Sequence, residues 1–360
     1  MLWAFSGHLQ TLVNMKNKNV FKINLIYFVA MSLVAIIFVL GYLGILQNDV
    51  ITSFLIQIVV MFAVPLFMYS LLMKKSLKET FQDCGFKLIS KKMLLISFLL
   101  GVVLYLINSF VADAFYGILT IFGYENLPSS ATSTFNYSTL LKEFVLSCVL
   151  PGFCEEFLHR GIMLNANKKH NSPKFCLIIS SVLFGLTHLN IRQFFYATIL
   201  GALMGLVSLA SNSIFPAVII HFMNNFLSNY FFYGSYLNWP FVKFTNYITS
   251  IFMGNVFIYI IYSIVSVSLL LALYSFLLKL LVRERSKKEV KTIVKELQME
   301  KLTLIEAQIK LNEINQFLER KTIENDKIKS KFCFNENIFL ISSFILGTLV
   351  TISSFIWGVI

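Results

Sequence analysis

The sequence predicts an all-α fold, a polytopic bundle of transmembrane helices. Of its 360 residues, 57% are hydrophobic and only 13% are charged, whereas a soluble domain averages about 45–50% apolar and about 25% charged residues. The apolar residues come in runs of about 20, the length that a helix needs to cross about 30 Å of hydrocarbon. This composition excludes a soluble globular enzyme, a disordered chain and a small disulfide-rich secreted domain. The five cysteines have no paired spacing that would predict disulfides or a zinc finger.

Nine apolar runs are long enough to form membrane helices, which we interpret as about eight core helices and one additional C-terminal helix. The runs cover residues 23–46, 50–73, 93–122, 137–166, 173–190, 193–211, 213–233, 250–282 and 337–358. The chain is therefore expected to have an N-terminal segment at 1–22, a transmembrane bundle at 23–282, a charged cytosolic segment at 283–336 and a C-terminal transmembrane helix at 337–360.

The charges of the loops orient these helices. If the N-terminus is cytoplasmic, 26 Lys and Arg residues lie on the cytoplasmic side and only Lys142, Arg192 and Lys243 lie outside. Cytoplasmic loops of membrane proteins are enriched in Lys and Arg. We therefore expect a cell-membrane protein with its N-terminus in the cytoplasm and its C-terminus outside. The formal net charge of +12 then reflects membrane orientation, and we expect no nucleic-acid partner.

The segment at 283–331 has a different character, with 13 basic and 9 acidic residues and no Gly or Pro. Apolar residues occupy eight of ten seam positions of a heptad repeat, which favours a helix with one apolar face. The columns are Val290, Leu297, Leu304, Leu311 and Leu318, and Ile293, Ala307 and Ile314, the second being interrupted by Glu300 and Lys321. We expect an amphipathic helix on the membrane or on the protein itself, or a coiled coil for self-association or a protein partner.

Ionisable side chains inside the predicted spans are concentrated in three helices. Each such group costs about 2.5–3.5 kcal/mol or more in the membrane, so it is a candidate functional residue. The candidates are Glu155, Glu156 and Arg160 in the fourth helix, His188 in the fifth, and His221 with Asn225 in the seventh.

Helical spacing predicts that these groups meet in one polar cavity. Glu156 and Arg160 are four residues apart, share a helix face and can pair. Glu155 lies 15 residues before His170, the centre of the next loop, and His188 lies 18 residues after it. In an antiparallel helix pair, Glu155 and His188 therefore reach about the same depth.

Three motifs carry a resemblance to a known family. They are Glu-Glu-x-x-x-Arg at 155–160, Phe-x-x-x-His at 184–188 and His-x-x-x-Asn at 221–225, in this order along the membrane helices. Together they resemble the CPBP family, the CAAX prenyl protease and bacteriocin-processing intramembrane proteases, also called the Abi family. The resemblance covers about residues 135–235. The chain departs from the family pattern at His159, where the family usually has an aromatic residue.

The resemblance implies an intramembrane endopeptidase that hydrolyses a peptide bond of a membrane-anchored protein or peptide. Glu155 would be the general base that activates water, and His188 would help to hold that water. His221 and Asn225 would donate hydrogen bonds to the oxyanion. The Glu156–Arg160 pair would orient Glu155. We expect the cavity to open toward the cytoplasm or laterally into the bilayer, where membrane lipid surrounds the protein.

The metal requirement stays open at this point. We expect no obligatory cofactor, but Glu155, His188 and His221 are also a possible three-ligand zinc site with an open fourth position. The family has been described both as metalloproteases and as glutamate proteases, and the sequence contains no His-Glu-x-x-His motif.

Other interpretations compete with a protease. Glu156 with Arg160 is also explained as a structural ion pair, and His188 or His221 as polar contacts between helices. The chain as a whole is alternatively a non-catalytic scaffold that binds a partner through 283–331. A transporter is a third alternative, although we find no inverted repeat.

The composition, rich in Lys, Asn, Ile and Phe, is typical of an AT-rich bacterial genome, where prenylated CAAX proteins are not expected.

Overall fold

A computed structural model describes residues 18–125, 137–299, 301–318 and 334–359. The structure is 87% helical, and the described residues contain no strand. This confirms the all-α polytopic bundle. The helices are α1 (Lys18–Tyr42), α2 (Asp49–Met73), α3 (Leu77–Asp83), α4 (Lys91–Ile121), α5 (137–166), α6 (Pro173–Leu186), α7 (Ile191–Ser211), α8 (Phe215–Tyr236), α9 (Pro240–Met253), α10 (Val256–Gln298), α11 (Leu304–Leu318) and α12 (Phe334–Val359).

Each of the nine predicted membrane helices has a helical counterpart, but only six described helices are long and apolar enough to span a membrane by themselves. These six are α1, α2, α4, α7, α10 and α12. The helices that carry the candidate site differ from them. In α5 and α8 the polar site residues interrupt the apolar sequence, and α6 has only 14 residues. At 1.5 Å per residue α6 is about 21 Å long, so the turn that follows it lies within the thickness of a bilayer.

The loops gather at two ends of the bundle. The basic end is formed by residues 74–90, 167–172 and 212–214, and the far end by residues 43–48 and 237–239. Hydrogen bonds join neighbouring loops at the basic end, from Ser213 Oγ to Lys87 O (2.6 Å) and from Ile214 N to Gly85 O (3.0 Å). At the opposite end the Glu125 amide donates to Gly358 O at 2.7 Å. The Lys-rich loops that the sequence analysis assigned to one side therefore lie together.

Two membrane helices contain π-helical turns. These turns cover Leu55–Ala63 in α2, and Phe144–Val149 and Phe157–Ala166 in α5. A π-helical turn widens the helix and changes the direction of the side chains that follow it, and such turns are frequent at functional sites. Those of α5 directly precede and follow the segment that contains Glu155 and Glu156.

The charged segment folds differently from the straight heptad helix that the sequence suggested. Helix α10 continues without a break through residue 283 and ends at Gln298, after which the chain reverses into α11. The two helices bury Ile293, Ala307 and Ile314 between them. The heptad positions Glu300 and Lys321, part of the segment 1–22 and the end of 283–331 lie outside the described residues.

A capping box starts α11. The Thr303 hydroxyl accepts a hydrogen bond from the Glu306 amide at 3.3 Å, and the Glu306 carboxylate accepts one from the Thr303 amide at 2.8 Å. This Thr-x-x-Glu pattern is a signal for a helix start, and it marks the break that heptad counting alone does not reveal.

Candidate active site

A fully buried ion pair lies at the centre of the bundle. Arg160 Nη1 donates to Glu156 Oε1 at 2.7 Å, and both side chains are 0% exposed. Arg160 Nη2 donates to the Gly201 carbonyl oxygen at 2.9 Å, and the guanidinium lies 4.4 Å from the centroid of the Phe184 ring. The pairing expected from the four-residue spacing is therefore present, and it joins α5 to α6 and α7.

His221 lies between the two glutamates. Its Nδ1 is 3.0 Å from Glu156 Oε1, and its Nε2 is 4.0 Å from Glu155 Oε2. The carboxylate at Nδ1 is an acceptor, so Nδ1 carries the hydrogen and a neutral His221 has its lone pair at Nε2. The close approach of α5 and α8 depends on Gly152, because a Cβ there would lie 3.2 Å from the backbone nitrogen of Phe222.

Glu155 is held by an amide from α2. Gln57 Nε2 donates to Glu155 Oε1 at 2.8 Å, and Gln57 lies within the π-helical turn of α2. The Glu155 side chain is 14% exposed and lines a cavity. One carboxylate oxygen is therefore fixed by Gln57 while the other faces His221.

His188 lines the same cavity as Glu155. It follows the C-terminus of α6, and its Nδ1 is 2.9 Å from the carbonyl oxygen of Phe184. A carbonyl only accepts, so His188 carries a hydrogen on Nδ1 and a neutral ring has an accepting Nε2. The chain then turns at Leu189, which has a φ of +50°.

Asn225 is the predicted site residue whose amide hydrogen-bonds to groups outside the cavity. Its Nδ2 donates to the Ser147 carbonyl oxygen at 2.9 Å, and its Oδ1 accepts from Asn224 Nδ2 at 3.1 Å. Asn224 in turn accepts from Asn108 Nδ2 at 3.2 Å. These bonds link α8 to α4 and α5 one turn beyond His221, so Asn225 lies in a helix contact beside the cavity.

Two residues at the site were not found by the sequence analysis. Gln57 binds Glu155, and the Tyr27 hydroxyl lies 3.2 Å from His159 Nε2 and donates to the Leu183 carbonyl oxygen at 3.1 Å. His159 Nδ1 in turn is 2.8 Å from the backbone oxygen of Glu155. The available signal was a single polar side chain in an apolar run, because such groups seek hydrogen-bond partners inside a membrane.

The cavity has a volume of about 650 Å³. Apolar residues of α1 and α2 form its walls, and Glu155 with His188 lies at its inner part. The lining residues are Val34, Ile37, Phe38, Gly41, Tyr42, Leu46, Gln47, Asp49, Thr52, Ile56, Met61, Glu155, Thr187, His188 and Leu189. The walls thus extend to the loop at 43–48 at the far end. Of the two openings expected above, the one toward the cytoplasm does not agree with this lining, whereas a lateral opening into the bilayer stays a prediction.

The geometry does not match a preformed zinc site. Among the described residues, no group of three or more His, Cys, Asp or Glu side chains has an arrangement that could hold a metal ion. Zinc lies about 2.0–2.2 Å from nitrogen and oxygen ligands, so the 4.0 Å between His221 Nε2 and Glu155 Oε2 would have to shorten for tetrahedral binding. The bond from His221 Nδ1 to Glu156 leaves Nε2 as the only ring nitrogen that could face a metal.

Comparison with known families agrees with the motif analysis. Residues 137–227 match the family described as Rce1-like: Type II CAAX prenyl endopeptidase Rce1-like. The matched segment is about a quarter of the chain and contains every candidate site residue. No curated protein and no solved structure matches the chain.

The match and the fold together define a class. The resemblance to the CPBP family is confirmed over residues 137–227, and it supports a peptidase. With six apolar helices of membrane-spanning length among the described residues, the protein is a multi-pass membrane protein, and its residues 137–227 are similar to CAAX-type endopeptidases.

Proposed function

We propose that the protein hydrolyses a peptide bond of a membrane-associated protein or peptide with a water molecule activated by Glu155. The observation that carries this proposal is the position of Glu155 in the inner part of a 650 Å³ cavity beside His188. A carboxylate that faces a cavity next to an accepting imidazole can take a proton from a water molecule held between them, which is the role of a general base.

The first step is attack by water on the peptide carbonyl. Glu155 takes a proton from the water, whose oxygen forms a bond to the carbonyl carbon. His188 helps to hold this water, since its Nδ1 is occupied by the Phe184 carbonyl oxygen and its Nε2 is available as an acceptor. Gln57 restricts the rotation of the Glu155 carboxylate through the 2.8 Å hydrogen bond.

The second step is collapse of the tetrahedral intermediate. The carbon–nitrogen bond breaks, and the proton taken from water passes to the leaving amine. A neutral His221 accepts at Nε2, so it donates to the oxyanion only after it takes from Glu155 the proton that came from water. Glu156 at Nδ1 stabilises this protonated form, and His221 then passes the same proton to the leaving amine. Asn225 would serve as a second oxyanion donor after exchanging its bond to Ser147.

Glu156 and Arg160 act as positioning residues in this mechanism. Their ion pair fixes the carboxylate oxygen that accepts from His221 Nδ1, which sets the direction of the His221 ring. The reaction needs no obligatory metal ion. Orientation is part of the proposal, with the N-terminus in the cytoplasm and the C-terminus outside, as the distribution of Lys and Arg favours.

The test compares the membrane peptides of cells that carry wild type, Glu155→Gln or His188→Ala. General acid–base groups contribute about 10²–10⁴-fold to rate, so we expect one or more peptides to accumulate uncut in both variants. Glu143→Gln is the matched control, because Glu143 lies on the same helix outside the cavity. Complete processing by both site variants, at wild-type levels of inserted protein, would contradict the proposal.

A second candidate function is a scaffold that binds a protein partner through the α10–α11 hairpin. It is favoured by apolar side chains on α11 that face solvent, since Leu304 is 76% and Ile305 is 74% exposed. Self-association is the alternative use of the same surface. On this hypothesis the catalytic variants keep their biological function and changes to the hairpin remove it.

A further inference from the structure

The cavity that contains Glu155 extends to the far end of the bundle. Helices α1 and α2 pack against each other mainly through Val64–Met73, in the half of α2 nearer the basic end. Toward the far end the space between them is the cavity, with Val34 and Met61 deep in its walls and Gln47 with Asp49 at its mouth. Gln47 and Asp49 are exposed, so the mouth is accessible from that end.

A cluster of aromatic rings closes the other end. It lies between Glu155 and the loops of the basic end, and its ring centroids are 4.8–6.2 Å apart. Its members are Phe62 of α2, Phe81 of α3, Phe86 of the following loop, Phe153 and Phe157 of α5, and Phe215 of α8. Phe153 and Phe157 flank Glu155 in the sequence, so the cluster blocks a direct route from the basic end.

Polar bonds reinforce this closure. Asp83, at the end of α3, accepts hydrogen bonds from Tyr69, Lys75 and Lys169 and so ties α2, α3 and the 167–169 turn together. A substrate that approached from the basic end would have to break this network as well as separate the rings.

We propose that the substrate enters from the extracytoplasmic side. The charge distribution assigns the basic end to the cytoplasm, and the cavity opens at the opposite end. The scissile bond therefore belongs to a peptide segment that reaches Glu155 through the cavity from the outer leaflet. A lipid-anchored tail on the cytoplasmic surface would face the closed end. This inference rests on the proposed function for its catalytic part, whereas the direction of access rests on geometry and charge alone.

The lining defines the chemical class of this segment. The cavity walls are mainly apolar, and their acidic side chains are the carboxylic acids Glu155 and Asp49. No Lys or Arg is among the lining residues. The cavity thus fits an apolar peptide segment that is uncharged near the scissile bond and is neutral or basic where it passes Asp49.

Cysteine labelling tests the direction of access. Four native cysteines are buried, so Cys333→Ser gives a suitable background. Single cysteines are then introduced at Gln47 and Thr52 in the cavity, at Lys243 on the far end and at Lys78 on the basic end, and intact cells are treated with a membrane-impermeant sulfonated maleimide. We expect Gln47→Cys, Thr52→Cys and Lys243→Cys to react, and Lys78→Cys to react only after permeabilisation.

Two labelling results would overturn the inference. One is reaction of Lys78→Cys but not Lys243→Cys in intact cells, which would reverse the orientation. The other is reaction of Lys243→Cys while Thr52→Cys stays unmodified in intact cells, which would mean that the cavity is not entered from the far end. Neither readout depends on catalysis, so both remain valid if Glu155→Gln has no effect on processing.

The side of the membrane on which the substrate is cleaved is tested separately. Any peptide that accumulates in Glu155→Gln cells should contain its cleavage site on the extracytoplasmic side, and maleimide applied to intact Thr52→Cys cells should stop its processing. A Glu155-dependent cleavage site on the cytoplasmic side would overturn this inference and leave the proposed function standing.

Discussion

Arg160 is an example of a buried charge whose partners must all be present. Its guanidinium contacts the Glu156 carboxylate, the Gly201 carbonyl oxygen and the Phe184 ring. Removing one member of a buried ion pair typically costs about 3–5 kcal/mol, because the other charge is left without compensation, whereas replacing both members is often neutral. The pair therefore allows structural and catalytic roles to be separated.

We predict that Arg160→Met lowers the free energy of unfolding by about 3–5 kcal/mol, which is measured in detergent as a lower unfolding temperature. The double variant Arg160→Met with Glu156→Gln should recover most of this stability. The double variant should still cleave poorly, because the neutral amide that replaces the Glu156 carboxylate does not stabilise a protonated His221. Full activity of the double variant would show that the charge of Glu156 is not needed for the reaction.

Gly201 provides the space for the Arg160 side chain. A Cβ at this position would lie 3.2 Å from Arg160 Nη2, 3.2 Å from Phe184 Cδ1 and 3.3 Å from the Ser181 carbonyl oxygen. These contacts are closer than normal packing permits, so the ion pair has to shift.

We predict that Gly201→Ala destabilises the protein by about 1–3 kcal/mol, the usual cost of overpacking, and reduces cleavage by displacing Arg160. Gly117→Ala is the control, because a Cβ at Gly117 meets no atom within 4 Å. Thermal unfolding and substrate processing measured together check both variants. Equal behaviour of the two alanine variants would mean that Arg160 tolerates displacement.

At the level of the elements, apolar length predicts membrane helices well and their ends poorly. A run of 20 apolar residues is sufficient to identify α1 or α12. Helix α6 was expected to reach residue 190 but ends at Leu186, because the chain turns at Thr187–Leu189 within a run that is apolar on average. Hydropathy cannot detect such a turn, although it is what places His188 inside the membrane.

The heptad pattern of the charged segment correctly indicated residues that become buried, but it is compatible with either one continuous helix or a helical hairpin. Ile293, Ala307 and Ile314 form a seam in either case, and in the structure they face each other within one hairpin. Periodicity identifies residues that become buried but not the helix that covers them. The capping box at Thr303 is the local signal that favours the hairpin.

The charged residues of the candidate site could be predicted from the sequence more easily than its neutral polar residues. Burying Glu156 or Arg160 is so costly that each demands an explanation from sequence alone. Burying Gln57 or Tyr27 in a membrane helix costs much less, so neither residue is a strong indication of a functional site. Their roles depend on which helices are neighbours, and one sequence does not contain that information.

We predict that Ile314→Asp opens the α10–α11 hairpin, because a carboxylate would replace a side chain that is 8% exposed. Limited proteolysis should then cut within 299–318 faster than in wild type, with Ile305→Asp as the control on an exposed position. If the protein is a protease that works through Glu155, substrate processing should persist in Ile314→Asp. Loss of biological function in this variant, together with a fully functional Glu155→Gln, would favour the scaffold hypothesis.

For the whole molecule, the two ends of the bundle differ in construction. The basic end is closed by aromatic rings and by bonds between loops, while the far end leaves α1 and α2 apart around the cavity. A site that excludes bulk water on one side and admits substrate on the other needs this asymmetry. Stability of the basic end is therefore a condition for a shaped cavity.

Asp83 makes that stability dependent on pH. Burial opposes its ionisation, but the hydrogen bonds from Lys169, Lys75 and Tyr69 outweigh burial and lower the pKa of the Asp83 carboxyl. A carboxyl group with a lowered pKa in the folded state stabilises the fold above its unfolded pKa, and this contribution is lost as the pH falls through the folded value. The unfolded pKa of Asp is about 3.9, so the loss begins near that pH.

We predict that Asp83→Asn lowers the free energy of unfolding at pH 7 by about 1–3 kcal/mol, because hydrogen bonds to a charged group are replaced by neutral ones. The unfolding temperature should fall accordingly. Unfolding measured in detergent from pH 7 to pH 3 should show the difference between wild type and Asp83→Asn begin to narrow below about pH 3.9, as Asp83 becomes protonated. Lys78→Gln is the control, because it removes an exposed charge of the same end that does not bind Asp83. A constant difference between wild type and Asp83→Asn across the pH range would mean that the ionised carboxylate does not hold the basic end together, and that the aromatic cluster alone closes it.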